Sequence, residues 1–258
     1  MQASGINLGA FNATRRPLVA VATVTADGVH VELSPARLGG IKLSDNLGEL
    51  FAAWRAWLLE LPAPIGVDLA LDVAGLGSNA ALVWELTHRP IDFAFYGDAP
   101  VTDRIGEFGT RFRAMLAATD FADRFVEACP RATIELLAFK GQYVGGAAHH
   151  GHSGWKADDK NQRNDKLMAK ILSELGVNPL PGAEKFSSDE LDATLCALTA
   201  LAKARDAGLL EARELDTEIA QRCGRRAGAD PNPAHKAPRN VAVLAQPYWA
   251  TLNVSRRA

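Results

Sequence analysis

The sequence predicts an α/β fold for this chain of 258 residues. One observation is a hairpin signal: an apolar, β-branched run over residues 17–24 turns at Asp27-Gly28 and returns over residues 29–33. Asp-Gly between apolar runs is a strong indication of two paired antiparallel strands. The other observation is the order strand, helix, strand over residues 4–71, which is typical of a sheet covered by helices.

Composition is that of an ordinary globular protein, with 48% hydrophobic and 22% charged residues. No apolar run is long enough to cross a bilayer, so we expect no membrane partner. Three widely spaced cysteines and the lack of a signal segment indicate a reducing cytoplasm. The length predicts a single domain over residues 1–258, in which residues 209–258 form a helical and basic C-terminal extension.

The first helix is predicted to begin at Ser44 as its N-cap and to carry apolar residues at three- and four-residue spacing as far as Leu61. Pro62 and Pro64 then end it. Residues 65–71 predict a short apolar strand that contains Asp68. An unpaired carboxylate is costly to bury, so we expect Asp68 at the strand's end, facing a metal or a cation.

The segment over residues 101–139 is predicted to contain two helices and a short strand that carries another candidate carboxylate, Glu127. Residues 101–119 predict a helix whose arginines, Arg104, Arg111 and Arg113, are expected at the surface rather than on a phosphate. Residues 124–129 predict another short strand, which places Glu127 near its end. Pro130 then opens a helix over residues 131–139.

The late helix over residues 187–205 is predicted by a capping box, with Ser187 as N-cap and Glu190 at the third helical position. Asp189 is explained by the helix dipole, which favours acids in the first turn. Asp192 is explained less well, because it lies beside the stripe that should face the sheet. That stripe consists of Leu191, Leu195, Leu198, Thr199 and Ala202.

Two glycine-rich segments offer other possibilities. Residues 72–79 could bring backbone N–H groups to a phosphate, but they match neither the dinucleotide fingerprint nor a P-loop. They are the basis of one alternative, a nucleotide-dependent small-molecule enzyme. Residues 141–155 contain His149, His150 and His152, whose spacing differs from the helical His-x3-His arrangement of zinc sites. Clustered histidines can bind a transition metal, and the alternative is an exposed loop that could close over bound substrate.

Charge is unevenly distributed, although the net charge is only −2. Residues 222–258 hold seven Lys or Arg residues and one acid, Asp230. Such an end can contact the phosphates of a nucleic acid, or it can be a solvated tail. The sequence does not indicate an oligomeric state.

Four polar side chains on predicted strands and helices form the candidate site: Asn7, Asp68, Glu127 and Asp192. Carboxylates gathered across a sheet could hold one or two Mg²⁺ or Mn²⁺ ions, which prefer oxygen ligands. Two such ions about 4 Å apart would activate water and stabilise the leaving oxygen in phosphodiester hydrolysis.

Several stretches resemble domain-of-unknown-function family 429, whose members are described as predicted nucleases with a ribonuclease H-like fold. They are Gly5-Ile-Asn-Leu-Gly9 with residues 15–22, Ile65-Gly-Val-Asp68, and residues 127–133 and 188–200. The resemblance covers roughly residues 4–205. It implies a mixed five-stranded sheet whose first three strands form an antiparallel meander, with helices on both faces.

Carried over residue by residue, the resemblance implies a cluster of acidic positions, which are occupied here by Asn7, Asp68, Glu127 and Asp192. Asp189 lies nearby in the sequence. Asp68 and Asp192 would be the principal metal ligands, and Glu127 a ligand or a base. The family usually has an acid where this chain has Asn7, and an amide oxygen brings no charge to a cation. The resemblance therefore implies a metal-dependent nuclease that Asn7 would impair. The alternative is a non-catalytic relative that binds nucleic acid or protein.

Overall fold

The computed structural model describes residues 1–8, 17–26, 28–35, 46–74, 76–78, 80–95, 100, 106–118, 120–138 and 188–244. Several predicted features lie outside these residues: the caps Ser44 and Ser187, Arg104, the histidine segment 141–155 and residues 245–258. Within the described part of the chain, no helix combines the length and the apolar character that crossing a membrane requires.

The architecture is α/β, with a mixed sheet of six strands in the order β3-β2-β1-β4-β5-β6. The strands are β1 (Gln2–Asn7), β2 (Leu18–Thr25), β3 (Gly28–Pro35), β4 (Ile65–Val67), β5 (Phe125–Ala128) and β6 (Val241–Ala242). The first three form an antiparallel meander, whereas β4, β5 and β6 each pair parallel to the preceding neighbour in the sheet. The sheet has one strand more than the expected five, since the two-residue β6 adds to the edge of β5.

The predicted hairpin is confirmed by the pairing of Thr25 with Gly28 across the turn. Gly28 has a φ of 127°, a backbone conformation that side-chain-bearing residues rarely adopt. Glycine at this position therefore allows β2 and β3 to be joined by a tight connection.

Helix α1 (Leu47–Glu60) begins later than predicted. Its N-cap is Asn46 instead of Ser44, because the Asn46 side-chain oxygen accepts the backbone N–H of Gly48 at 2.8 Å. With α3 (Gly106–Ala117), α1 covers one face of the sheet. Buried side chains of β1, β4 and β5 meet these helices in one core, which includes Ile6, Trp54, Leu58, Ile65, Val67, Phe112 and Phe125.

Helix α5 (Ser188–Ala204) covers the opposite face and makes unusually close contact with the sheet. A Cβ atom added to Gly5 would collide with the backbone of Ala193 and Ala197, and one added to Gly66 would collide with Cys196. Two glycines in neighbouring strands thus let the helix backbone rest directly on the sheet.

The prediction that α5 buries only one stripe of side chains is wrong, because residues 191–202 are buried on all sides of the helix. The helix is covered by the sheet and by other parts of the chain, among them Ile134 of α4 (Pro130–Ala138). Its buried threonines need no outside partner, since the hydroxyls of Thr194 and Thr199 donate to carbonyls one turn earlier, those of Glu190 and Leu195.

A third core joins α6 (Ala212–Ala227) to the short α2 (Pro90–Ala94) and to a 3₁₀ turn, Val83–Leu86. Arg222 of α6 is fully buried and forms ion pairs with Glu135 of α4 and Glu218 of its own helix. Its guanidinium also lies 4.6 Å from the ring centre of Phe95. Helix α6 therefore packs into the body of the protein through both a core and buried charge.

Candidate functional site

Asn7 and Asp192 meet where the carboxyl end of β1 lies against the first turns of α5. The Asn7 Nδ2 atom donates to Oδ2 of Asp192 and to the backbone oxygen of Asp189, both at 3.4 Å. Because both partners are acceptors, they fix the orientation of the amide, with Oδ1 on its other side. Asp192 is only 1% exposed. Two of the predicted site residues are thus in direct contact.

The alternation of side chains along β1 explains this contact. Ala3 and Gly5 face α5, so Asn7, two residues further on, points to the same side of the sheet. Since the backbone of α5 rests on Gly5, the start of the helix is brought down to the level of Asn7. The close approach that glycine permits therefore builds this part of the site.

Asp68 lies at the same end of the sheet, directly after the neighbouring strand β4. The predicted strand over residues 65–71 is too long, because β4 ends at Val67 and Asp68 is exposed. Parallel pairing of Ile6 with Val67 places Asp68 beside Asn7 in the continued register. A strand that ends before the carboxylate avoids burying its charge, which gives the physical reason for the shorter element.

Glu127 is brought to this edge but on the other face of the sheet. It pairs in register with Val67, whose side chain lies in the core under α1 and α3. Glu127 is 2% exposed, and its two carboxylate oxygens accept from Arg89 Nη1 at 2.6 Å and from the Leu71 N–H at 2.8 Å. Burial raises its pKa to about 7, although both of these donors work in the opposite direction.

Arg89 is a residue that the sequence analysis missed. Its guanidinium donates to both oxygens of Asp92, at 2.7 and 2.8 Å, in addition to Glu127. Burial opposes the charged form of Arg89, but the two carboxylates outweigh it and raise the pKa of the guanidinium above its usual range. The sequence contained one signal for this site: Pro90 followed by Asp92 is typical of the start of a helix. Arg89 is the residue directly before that helix.

Three side chains hold the loop that follows β4. Arg113 donates to the Ala70 carbonyl at 2.8 Å, Glu127 accepts from the Leu71 N–H, and Arg89 donates to the Asp72 carbonyl at 3.3 Å. We call residues 70–72 the clamped loop. Because Asp68 lies just before it, this cluster fixes the chain that carries Asp68. Arg113 of α3 is only half-exposed, so the predicted surface residue also makes a structural contact with this loop.

Three backbone amides in or next to the glycine-rich loop over residues 72–79 donate to other groups of this segment. The N–H groups of Ala74 and Leu76 donate to the Asp72 side chain at 2.8 Å and the Val73 carbonyl at 3.2 Å. The Ala80 N–H donates to the Gly77 carbonyl at 3.4 Å. These three groups are therefore not directed toward a phosphate.

The basic C-terminal end divides into structural and exposed residues. Arg222 is buried in ion pairs, and Arg226 lies over the Phe93 ring at 4.1 Å and donates to the Phe93 carbonyl. Within residues 222–244 the exposed basic side chains are Arg225, Lys236 and Arg239. Two of the seven basic residues counted in the sequence thus hold the fold together.

The oxygen atoms of Asp68, Asp192 and Asn7 are of the kind that bind a hard divalent cation, but they are few. Among the described residues, no group of three or more His, Cys, Asp or Glu side chains is close enough to hold a metal. The carboxylates of Asp68 and Asp192 and the amide oxygen of Asn7 are oxygen ligands, and Mg²⁺ often takes only one or two carboxylates plus water and substrate phosphate. The residues present therefore fit one such ion better than two.

Comparisons of the chain with models of known protein families, with curated proteins and with solved structures find no match in any of the three.

Proposed function

We propose that this chain is a metal-dependent phosphodiesterase of ribonuclease H-like fold that acts on nucleic acid, related to domain-of-unknown-function family 429. The observation that carries the proposal is the contact of Asn7 with Asp192 at the sheet edge that also bears Asp68. The order of the first five strands, an antiparallel meander followed by two parallel strands, supports the same assignment.

Asp68 and Asp192 are the proposed ligands of one Mg²⁺ or Mn²⁺ ion, with Asn7 as a neutral third ligand and Asp189 nearby. When bound, such an ion lowers the pKa of water and neutralises charge on a phosphodiester. Asp192 is buried and held by Asn7, so its carboxylate is oriented before any substrate arrives. Asp68 is exposed, so a polynucleotide can approach it directly.

Glu127 has a different proposed role from that of a metal ligand or base. Both of its oxygens are engaged, by Arg89 and by the Leu71 N–H, on the face of the sheet away from Asp192. We assign it as a positioning residue, which holds the clamped loop and through it Asp68. Its pH-dependent charge would then affect the site through the loop.

The direct test is a cleavage assay with labelled single- and double-stranded DNA and RNA, in Mg²⁺ or Mn²⁺ and in EDTA. We expect metal-dependent cleavage that Asp68→Asn and Asp192→Asn each reduce by at least a hundredfold. Asp123→Asn, at an exposed carboxylate in a 3₁₀ turn outside the site, is the matched control and should retain activity. Cleavage that is unchanged in both site variants would remove the proposal.

A second candidate, a non-catalytic nucleic-acid-binding relative, is favoured by one observation. The Asn7 amide already donates a hydrogen to Asp192, so this buried carboxylate has a stabilising partner without a cation. This candidate predicts binding in EDTA that weakens steeply with salt and that depends on the exposed Arg225, Lys236 and Arg239. Binding that ignores both salt and these three side chains would exclude it.

A further inference from the structure

We propose that Arg113 is an anion-binding residue that takes a phosphate group at the carboxyl end of β4. The proposal deepens the proposed function, on which it rests for the identity of the substrate, a nucleic-acid backbone. The binding of phosphate itself can be tested without any cleavage activity.

The contacts of Arg113 leave most of its hydrogen-bonding capacity unused. Nη1 donates to the Ala70 carbonyl at 2.8 Å and Nη2 donates to the Thr110 hydroxyl at 3.2 Å. Both acceptors are neutral. A guanidinium has five N–H donors, so three remain without an acceptor among the residues that the structure describes. The same described residues place no carboxylate within ion-pair distance of Arg113.

Arg89, the neighbouring arginine, has the direct carboxylate partners that Arg113 does not have among the described residues. Arg89 is paired with two carboxylates, those of Glu127 and Asp92. These pairs balance the positive charge of Arg89, whereas among the described residues Arg113 has no ion pair of its own and feels the Glu127 carboxylate only at longer range. Burial lowers the pKa of Arg113 and the positive charge of Arg89 lowers it further, while the negative charge of Glu127 partly opposes both effects. A bound anion would relieve both effects, because it adds the opposite charge to a half-buried cation.

Gly109 provides the space in which the guanidinium lies. A Cβ atom at this position would be 2.9 Å from Arg113 Nη1 and 3.2 Å from Leu69 Cδ1. Glycine in the interior of a helix is otherwise unfavourable, so the position has a packing reason. Arg113 is thus held in one orientation by Ala70, Thr110 and Gly109, and a planar, fixed guanidinium suits bidentate binding of a phosphate.

The position of Arg113 relative to Asp68 indicates a nucleic-acid backbone as the source of the phosphate. Ala70, which accepts from Arg113, is two residues after Asp68, so at most about 7 Å of chain separates them, the span of two fully extended residues. One polynucleotide strand can therefore reach both the exposed Asp68 and the guanidinium.

The test begins with inorganic phosphate, titrated in EDTA and followed by the NMR signals of backbone amides in the clamped loop and α3. We expect Arg113→Gln to weaken phosphate binding at least tenfold and Arg113→Lys to weaken it less. Arg55→Gln changes an exposed arginine that is paired with Asp120, and it should bind as the unmodified chain does. Equal phosphate affinity in Arg113→Gln and the unmodified chain would overturn the proposal.

Gly109→Ala gives a second, independent variant that keeps the charge. Its added Cβ should displace the guanidinium and weaken phosphate binding several-fold, and unchanged binding in this variant would contradict the geometry described above.

Oligonucleotide binding in EDTA then identifies the source of the phosphate. Loss of one phosphate contact should reduce the salt slope of binding by about one in Arg113→Gln. A normal slope together with weakened inorganic phosphate binding would overturn the assignment to a nucleic-acid backbone. Phosphate binding that depends on Arg113, in a chain that cleaves no nucleic acid in Mg²⁺ or Mn²⁺, would support this proposal and remove the proposed function.

Discussion

The side-chain nitrogen of Asn7 lies 3.4 Å from a carboxylate oxygen of Asp192, a residue 185 positions later in the chain. The contact joins the end of the first strand to the start of a helix that is buried on all sides. It places an amide where the resemblance implies an acid, so a hydrogen bond joins two positions at which the resemblance implies two carboxylates. Under the proposed function, we expect this site to be stable without metal and to bind a cation more weakly than two carboxylates would.

Asn7→Asp should make the stability of the protein depend on metal. Two carboxylates would then face each other at hydrogen-bond distance, so we expect a loss of about 1 to 3 kcal/mol in EDTA. Mn²⁺ should restore the loss and raise cleavage activity. Thermal unfolding in EDTA and in Mn²⁺ measures the first effect, with Asn232→Asp on the exposed surface as control. An identical response of both variants to Mn²⁺ would contradict the assignment.

Glu127 should give the protein a stability that falls as the pH rises. The folded state raises its pKa from 4.5 to about 7, so between these values the folded protein binds more protons than the unfolded chain. The contribution of protonated Glu127 to the free energy of unfolding is fully present below pH 4.5 and is lost as the pH rises through 7. A pKa shift of this size corresponds to a contribution of about 3 kcal/mol.

The Glu127→Gln variant isolates this contribution, because glutamine resembles the protonated side chain. The free energy of unfolding of the unmodified chain, relative to that of the variant, should decrease between pH 4.5 and 8. A difference that stays constant or increases over this range would show that the Glu127 pKa is not raised.

Gly5 and Gly66 should tolerate no side chain. Because an added Cβ would collide with the backbone of α5, Gly66→Ala requires the helix to move away from the sheet. We expect a loss of about 3 kcal/mol or more, at the upper end of the usual cost of overpacking. The comparison is Gly48→Ala in the exposed first turn of α1, which should change stability by about 1 kcal/mol or less. Similar losses in the two variants, measured by urea unfolding, would contradict the close packing described above.

Arg222 should contribute far more to stability than a surface arginine does. Removal of its side chain leaves the partly buried carboxylates of Glu135 and Glu218 without their cation, for which we expect a loss of about 3 to 5 kcal/mol in Arg222→Ala. Arg55→Ala breaks an exposed pair with Asp120 and should cost about 1 kcal/mol or less. Denaturant unfolding compares the two, and equal losses would contradict the buried role of Arg222.

The elements of the fold were predictable where local signals are strong. The hairpin at Gly28, the end of α1 before Pro62 and the start of α4 at Pro130 all depend on a few neighbouring residues. The full burial of α5 was not predictable, because the segments that cover its second face are distant in sequence. Asn46 was missed as a cap because Ser44, two residues earlier, is equally suited to the role by residue type.

The candidate site was predictable only in part. The sequence indicates Asn7, Asp68 and Asp192, since polar residues interrupt apolar segments at these positions. It does not indicate which face of the sheet each side chain takes, so Glu127 was grouped with residues on the opposite face. The sequence does not indicate the contacts of Arg89 and Arg113 with residues 70–72, because these contacts depend on tertiary packing rather than on spacing.

The most direct test of the central claim is anomalous X-ray diffraction from a crystal soaked in Mn²⁺. We predict a single manganese peak about 2 Å from carboxylate oxygens of both Asp68 and Asp192, which is absent in a crystal of Asp192→Asn. A crystal saturated with Mn²⁺ that shows no peak at these two residues, or a peak bound by other side chains alone, would contradict the account.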